Sequence, residues 1–310
     1  MYRFIGKRLL MMIPIIIGIS FLIFLIMDLT PGDAASASLG ASATQEEIAE
    51  LREELGLNDS ILVQYFRYIK GAVRGDFGIS YRTKSDLWLE IGPRIPVTIN
   101  LAFWAMIIMV CVAVPIGIIS AVKQYSIPDR VITVLSMLIT SMPTFWLGLM
   151  LMVVFALKLG LLPSIGIGSW KHFILPAITS AIAMTASLLR MTRSNMLEVI
   201  RSDYIRTARA KGASEGSVIM NHALRNALLP VITLIGLDFG GMLGGAMATE
   251  SVFSIPGLGT LLITSVRCKD SPTVVTIVVL AAISISVVNL LVDILYAFID
   301  PRIRSQYAKS

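Results

Sequence analysis

The residues with chemistry in this chain are mostly cations, and they cluster. Arg201, Arg206, Arg209, Lys211 and Arg225 stand on or beside a polar island from Ser202 to Asn226, reading SDYIRTARAKGASEGSVIMNHALRN. Long apolar spans flank it. The island is too polar to sit in lipid and too short to be a domain. Two readings are open: a loop that merely connects spans, or a rigid knuckle offered to a soluble partner. Its chemistry is non-covalent docking, because groups for bond-making are missing. No Ser/His/Asp set or paired carboxylate lies in a plausible site, and His172 and His222 are the only histidines. Cys111 and Cys268 form no CxxC motif, so no metal site is expected. No GxxxxGK[ST] loop is present to cradle ATP phosphates. A second set of polar groups lies inside apolar stretches. Asp238 sits well within one, where a carboxylate must face protein or water rather than lipid. Asn289 and Asp293, four apart, share a helical face in another. Gly236, Gly240 and Gly244 recur every four residues beside Asp238, with Gly241 and Gly245 as a second small stripe. Such stripes permit close helix contact or leave room for a passage.

The island needs elements to aim it. Asp203 or Ser202 can cap a helix through Ile205, Ala208 and Ala210. Gly212 ends it, since a residue without a side chain takes a left-handed turn at little cost. Ser214 restarts the chain as an N-cap, with Glu215 in the first turn where the helix dipole favours negative charge. Val218, Ile219, His222, Ala223 and Asn226 continue at helical spacing. The expectation is a helix, a glycine hinge and a helix, held between two membrane spans.

Composition agrees with spans. Of 310 residues, 55% are hydrophobic and 15% charged, with a mean hydropathy of +0.79. Globular domains run nearer a quarter charged. Apolar runs of about 20 residues, the length a hydrocarbon core demands, are expected at Leu9–Leu29, Val97–Val122, Val131–Leu157, Phe173–Leu189, Leu228–Val252 and Thr273–Phe298. Pro143 is expected to kink the third. An alternative for the first is a signal peptide cleaved near Ala35-Ser36-Ala37, but the apolar run is longer than a signal core.

The organisation expected is a head and first span over 1–30, a helical lid over 31–96, a five-helix core over 97–300 with the island in a loop over 194–227, and a tail over 301–310. In the lid, Thr44 and Glu47 form a capping box, and Ile48, Leu51 and Leu55 follow on one face until Gly56. Leu62, Tyr65, Phe66, Ile69 and Val73 line a second amphipathic helix, Gly75–Gly78 is a turn, and Trp88 is an interfacial anchor. The lid either packs its apolar faces on the spans or docks a soluble partner. The net charge of +6 is read loop by loop and not as a nucleic-acid signal. Lys and Arg crowd the head, the Lys123–Arg130 loop, the island and the tail, which puts both termini and the island in the cytoplasm and the lid outside.

The segments Asp203–Gly212, DYIRTARAKG, and His222–Pro230, HALRNALLP, resemble the coupling loop of ABC-importer permeases of the dipeptide, oligopeptide and nickel class. Pro31-Gly32-Asp33 after the first span and Pro256-Gly257-Leu258-Gly259 before the last are similar too, so the likeness covers nearly the whole chain. The match departs from the wider family at Arg206 and Thr207, which stand where Glu and Ala are usual. The resemblance implies an all-α, six-helix type I importer fold in the bacterial inner membrane. It implies a complex of two homologous permeases, two ATPase subunits that hold ATP and Mg, and an external substrate-binding protein, with no cofactor on this chain. It makes Asp203, Tyr204, Arg206, Thr207, Ala208, Arg209, Lys211, Gly212, Ala213 and Ser214 the coupling surface, and peptides the cargo, with nickel chelates or glutathione as alternatives. Asp238 and Asn289 with Asp293 become candidates for the pathway between two permeases. A secondary transporter would use Asp238 and Asp293 as ion-coupling carboxylates and would often show two inverted halves, which this sequence does not.

Overall fold

The structure, a computed structural model, describes residues 2–40, 42–244 and 246–299. Gly245 and the tail cations Arg302, Arg304 and Lys309 lie outside the described residues. Every regular element among the described residues is helical. In order they are α1 (Tyr2–Leu29), α2 (Ala34–Leu39), α3 (Gln45–Glu54), α4 (Ile61–Ala72), α5 (Leu87–Ile91), α6 (Ile95–Val122), α7 (Ile127–Ser141), α8 (Thr144–Leu151), α9 (Ile174–Ile200), α10 (Asp203–Ala210), α11 (Glu215–Ser217), α12 (Leu224–Leu243), α13 (Met247–Val252), α14 (Leu258–Arg267) and α15 (Ser271–Ile299).

Among the described residues, five stretches are long and apolar enough to cross a membrane: Ile5–Leu29, Leu87–Val122, Trp170–Ile200, Glu215–Leu243 and Ser271–Leu295. One further apolar helix pair reaches that length only when its two parts are taken together. Its halves, Ile127–Ser141 and Thr144–Lys158, meet at 103°. The kink expected at Pro143 is thus a full break. Proline disfavours the helical conformation in the residue before it, and Met142 is extended at φ −87° and ψ 130°. Two further boundaries differ from expectation. The fourth span does not stop at Leu189 but runs to Ile200, because Thr192 and Met196 bury a helical face beyond the apolar run. The fifth does not reach Val252. It ends at Leu243, just before Gly244, and α13 follows as a separate short helix.

The chain forms two compact units. Among the described residues, one takes the chain up to Ile99 with Leu243–Val287, and the other takes Asn100–Met242 with the end of α15 from Val288.

In the first unit the lid segment is fastened to its spans. The Thr44–Glu47 capping box is present and Gly56 has φ +65°. The buried face of α4 differs from the one expected. Tyr65 is buried, with Ile61, Tyr68 and Ile69 beside it, whereas Phe66 and Val73 are exposed. Polar tips decide this rotation. Tyr65 Oη donates to Ile17 O (3.0 Å), and Tyr68 Oη and Thr276 Oγ1 share a hydrogen bond (3.1 Å). A phenol buries comfortably only with such a partner. The turn after it is pinned by buried Asp270, which accepts from Ser80 Oγ, Tyr81 N and Thr273 Oγ1. Trp88 stays half-exposed and stacks on Phe77 at 5.9 Å.

A second buried carboxylate, Glu250, explains the Pro-Gly-Leu-Gly turn. Its Oε1 accepts from Thr98 Oγ1 (2.8 Å) and its Oε2 from Thr260 N (3.0 Å), and Thr98 Oγ1 in turn accepts from Leu258 N (2.9 Å). Burial pushes the Glu250 carboxyl above its ordinary value, and the hydrogen bonds pull it back. A Cβ on Gly257 would fall on this carboxylate, and one on Gly259 would lie 2.9 Å from Oε2. The glycines let the backbone wrap the charge.

In the second unit α6, α7 and α9 pack together, and the polar island rests on the ends of α6 and α9. Gly117 lets α6 approach α9: a Cβ there would lie 2.8 Å from Thr192 Cβ and 2.9 Å from Leu189 O. At the other seam, a Cβ on Gly236 would collide with Val292 of α15.

Candidate functional site

The island forms one free-standing short helix, α10, between two long ones. Ser202 occupies its N-cap position without a side-chain cap, and its Oγ donates to Val199 O instead (2.6 Å). The C-terminal end is sequence-specific. Gly212 has φ +82°, Gly212 N donates to Arg209 O (2.9 Å) and Ala213 N to Ala208 O (3.2 Å). This is the Schellman arrangement, which only a residue comfortable at positive φ completes. Ala208 and Ala213 pack beneath it as the usual apolar contact. The helix that restarts at Glu215 is not a second island helix. It passes through a wide π turn at Val218–Ala223 and continues directly into α12.

One face of α10 is buried and the rest is offered outward. Ile205 is 0% exposed, in a core with Ala121, Met196, Val218, Ala223 and Ala227. Asp203, Arg206, Thr207, Arg209, Lys211, Gly212 and Ser214 are exposed. Several are held in place. Tyr204 Oη accepts from Asn226 Nδ2 (2.8 Å), which ties α10 to the next span. Arg209 Nε and Nη2 donate to the two Glu215 oxygens (2.7 and 3.2 Å), closing the Gly212 turn with a bidentate pair. That pairing raises the Arg209 guanidinium further above its ordinary value. Arg206 reaches Asp203 at 3.6 Å, both in solvent, a contact of little energetic weight.

Beneath the island lies a cluster that the sequence did not disclose. Asp129, 3% exposed, accepts two parallel hydrogen bonds from Arg193, Nε to Oδ1 (2.8 Å) and Nη2 to Oδ2 (2.9 Å). It also accepts from Ser120 Oγ and from Tyr125 N (2.9 Å). Arg193 ended a span in the sequence and Asp129 looked like a loop residue. No local spacing pairs positions 129 and 193; only the packing of α7 on α9 does.

The intramembrane set is not drawn into one site. Gly236 and Gly240 are buried, Gly236 against Val292, so at that seam the stripe serves close contact. Gly241 faces open space and Gly244 lies at the turn after α12. Asp238 is half-buried, and its Oδ2 takes no hydrogen bond among the described residues. Asn289 and Asp293 are half-buried on α15, each next in sequence to a buried valine, Val288 and Val292.

A family described as the binding-protein-dependent transport system inner membrane component matches residues 113–305, and the family of its N-terminal part matches residues 1–102. The chain belongs to this permease family. The glutathione transport system permease protein GsiC of Salmonella paratyphi A is 42% identical over 304 residues, covering 98% of this chain and 99% of that protein. The dipeptide transport system permease protein DppB of Alkalihalophilus pseudofirmus is 41% identical over 326 residues, covering 96% and 98%. A solved chain of the MetNI methionine ABC transporter, in an inward-facing form, shares the fold at a TM-score of 0.57 and 17% identity, covering 68% of the permease and 97% of that chain. The permease is therefore an all-helical, multi-pass membrane subunit of the ABC importer type.

Proposed function

We propose that this chain is one of two permease subunits forming the pathway of an ATP-driven importer for short peptides in a bacterial cytoplasmic membrane. The observation that carries the reading is α10. An exposed helix rests on one buried isoleucine, and its end is fixed by a Schellman glycine and a bidentate ion pair. A chain with no phosphate-cradling loop of its own needs such a surface to receive work from a partner ATPase. In this reading Asp203–Ser214 docks the ATPase, which holds ATP and Mg. Both termini and the island face the cytoplasm, and the Pro31–Pro96 segment faces an external binding protein. The chain catalyses no bond-breaking itself.

The cargo class follows from the relatives. Dipeptides and glutathione are both short peptides bearing an ammonium and at least one carboxylate, and both relatives match this chain over nearly its full length. Specificity between them is assigned to the binding protein. The test is to purify the permease with its partners, identify the ligand carried by the binding protein, and measure its uptake into proteoliposomes. Uptake that needs ATP and the binding protein is expected. Uptake driven by an ion gradient without ATP would favour a secondary transporter using Asp238 or Asp293.

A further inference from the structure

We propose that Asp129 and Arg193 are the positioning pair that fastens the ends of α6, α7 and α9 into one body beneath the polar island, so that a push on α10 moves all three spans together. The inference rests on the importer reading above and adds where the push goes.

The geometry is that of a clamp. One buried carboxylate on α7 holds partners from three places: Ser120 on α6, the backbone of Tyr125 in the connecting loop, and Arg193 on α9. Both carboxylate oxygens accept two bonds each, one from Arg193 and one from the α6 side. A bidentate guanidinium–carboxylate pair fixes orientation as well as distance. Tyr125 is held at φ +63°, a conformation a tyrosine adopts only where its surroundings impose it. Arg201 adds a second tie, donating from Nη2 to Gln124 Oε1 of the same loop (3.1 Å).

The clamp lies directly on the island's support. Ser120 precedes Ala121, and Arg193 stands one turn before Met196. Ala121 and Met196 are two of the side chains against which Ile205 of α10 is buried. One turn up, Gly117 brings α6 against α9 at closest approach. A displacement of α10 is thus received by side chains adjacent to the clamp, not by a loop that could absorb it. A buried ion pair of this kind is weak evidence for stability, since apolar residues often serve as well. Its strength is in fixing relative position, which is what a transmission element requires.

The test uses the complete importer in proteoliposomes, with Cys111 and Cys268 replaced by alanine. Asp129→Asn keeps the shape and removes the charge that holds Arg193. The expected result is a normal amount of assembled complex and normal basal ATP hydrolysis. Binding-protein-stimulated hydrolysis and uptake fall about tenfold, within the range of coupling between distant sites. Wild-type stimulation and uptake in Asp129→Asn would overturn the proposal. A second pair of variants works even where Asp129→Asn fails to assemble. Cysteines replacing Gln124 and Arg201, joined by a short bis-maleimide, should leave uptake intact in the otherwise native chain, because the loop and α9 are proposed to move as one. They should also restore uptake to Asp129→Asn wherever that variant assembles. Loss of uptake on cross-linking the native chain would show that the two must move apart, and would end the proposal. Failure of the importer reading looks different: the unmutated complex itself would show no ATP-driven uptake.

Discussion

Gly212 is the residue of the island whose identity the backbone dictates. At φ +82° and with open space around its Cβ position, it resists substitution through conformation and not through crowding. A β-branched residue there costs roughly 1–2 kcal/mol of strain, a factor of about 5–30 between competing conformations. The strain falls on the aim of α10 and not on the spans. Gly212→Val is expected to reach the membrane in near-normal amount while uptake and stimulated ATP hydrolysis drop by about that factor. ATPase assays on the reconstituted complex, with and without the binding protein, decide it. Normal stimulation would return the island to a connecting loop. Asp238 poses a different question at the same scale. Its unpartnered oxygen lies in a span, where lipid is not an acceptable neighbour. Asp238→Asn should assemble normally and lower transport by a few-fold at most, read as an initial rate of peptide uptake. Loss of assembly would mean that the carboxylate is paired with a buried cation in the complex.

At the scale of elements, the turn around Glu250 depends on its two glycines. Thr98, Leu258 and Thr260 are arranged around one carboxylate, and the glycines leave the space it fills. Gly259→Ala puts a methyl 2.8 Å from Met247 Cα, a contact that rigid backbone cannot relieve. The expected loss is about 1–3 kcal/mol of stability, typical of overpacking. It should appear as a lowered thermal midpoint of the detergent-solubilised chain. An unchanged midpoint would show that the turn relaxes freely. Gly241→Ala, where nothing lies within 4 Å, is the matched control and should be silent.

At the scale of the whole molecule, the prediction concerns sidedness. Cysteines replacing Lys123 and Lys211 should be reached only from the cytoplasm, and those replacing Ser60 and Arg267 only from outside, by a membrane-impermeant maleimide on intact cells. Cys268 must be replaced first, since it is not fully buried. Gly257 would mark the outer side equally well by position, but any side chain there strikes Glu250, so exposed Arg267 serves instead. Labelling at position 211 from outside would invert the arrangement and remove α10 from any cytoplasmic ATPase.

The sequence alone determined what is local or periodic. Apolar runs located the spans because bilayer thickness sets a length that residues must fill. The capping box at Thr44 and the stop at Gly212 were readable because each is complete within a few residues. Three things needed the tertiary structure. The break at Pro143 was visible as a site but not as a 103° turn, because the angle depends on what each half packs against. The face of α4 was misjudged because two tyrosine hydroxyls, seeking partners on α1 and α15, outweighed the apolar count. The charges that organise the molecule, Asp129 with Arg193, Glu250 with Thr98 and Asp270 with Ser80, pair residues 64, 152 and 190 positions apart. Asp129 and Asp270 fall in loops of the sequence, where a carboxylate reads as solvated whatever its fate. Only the folded chain, by removing water from it, forces it to find a partner.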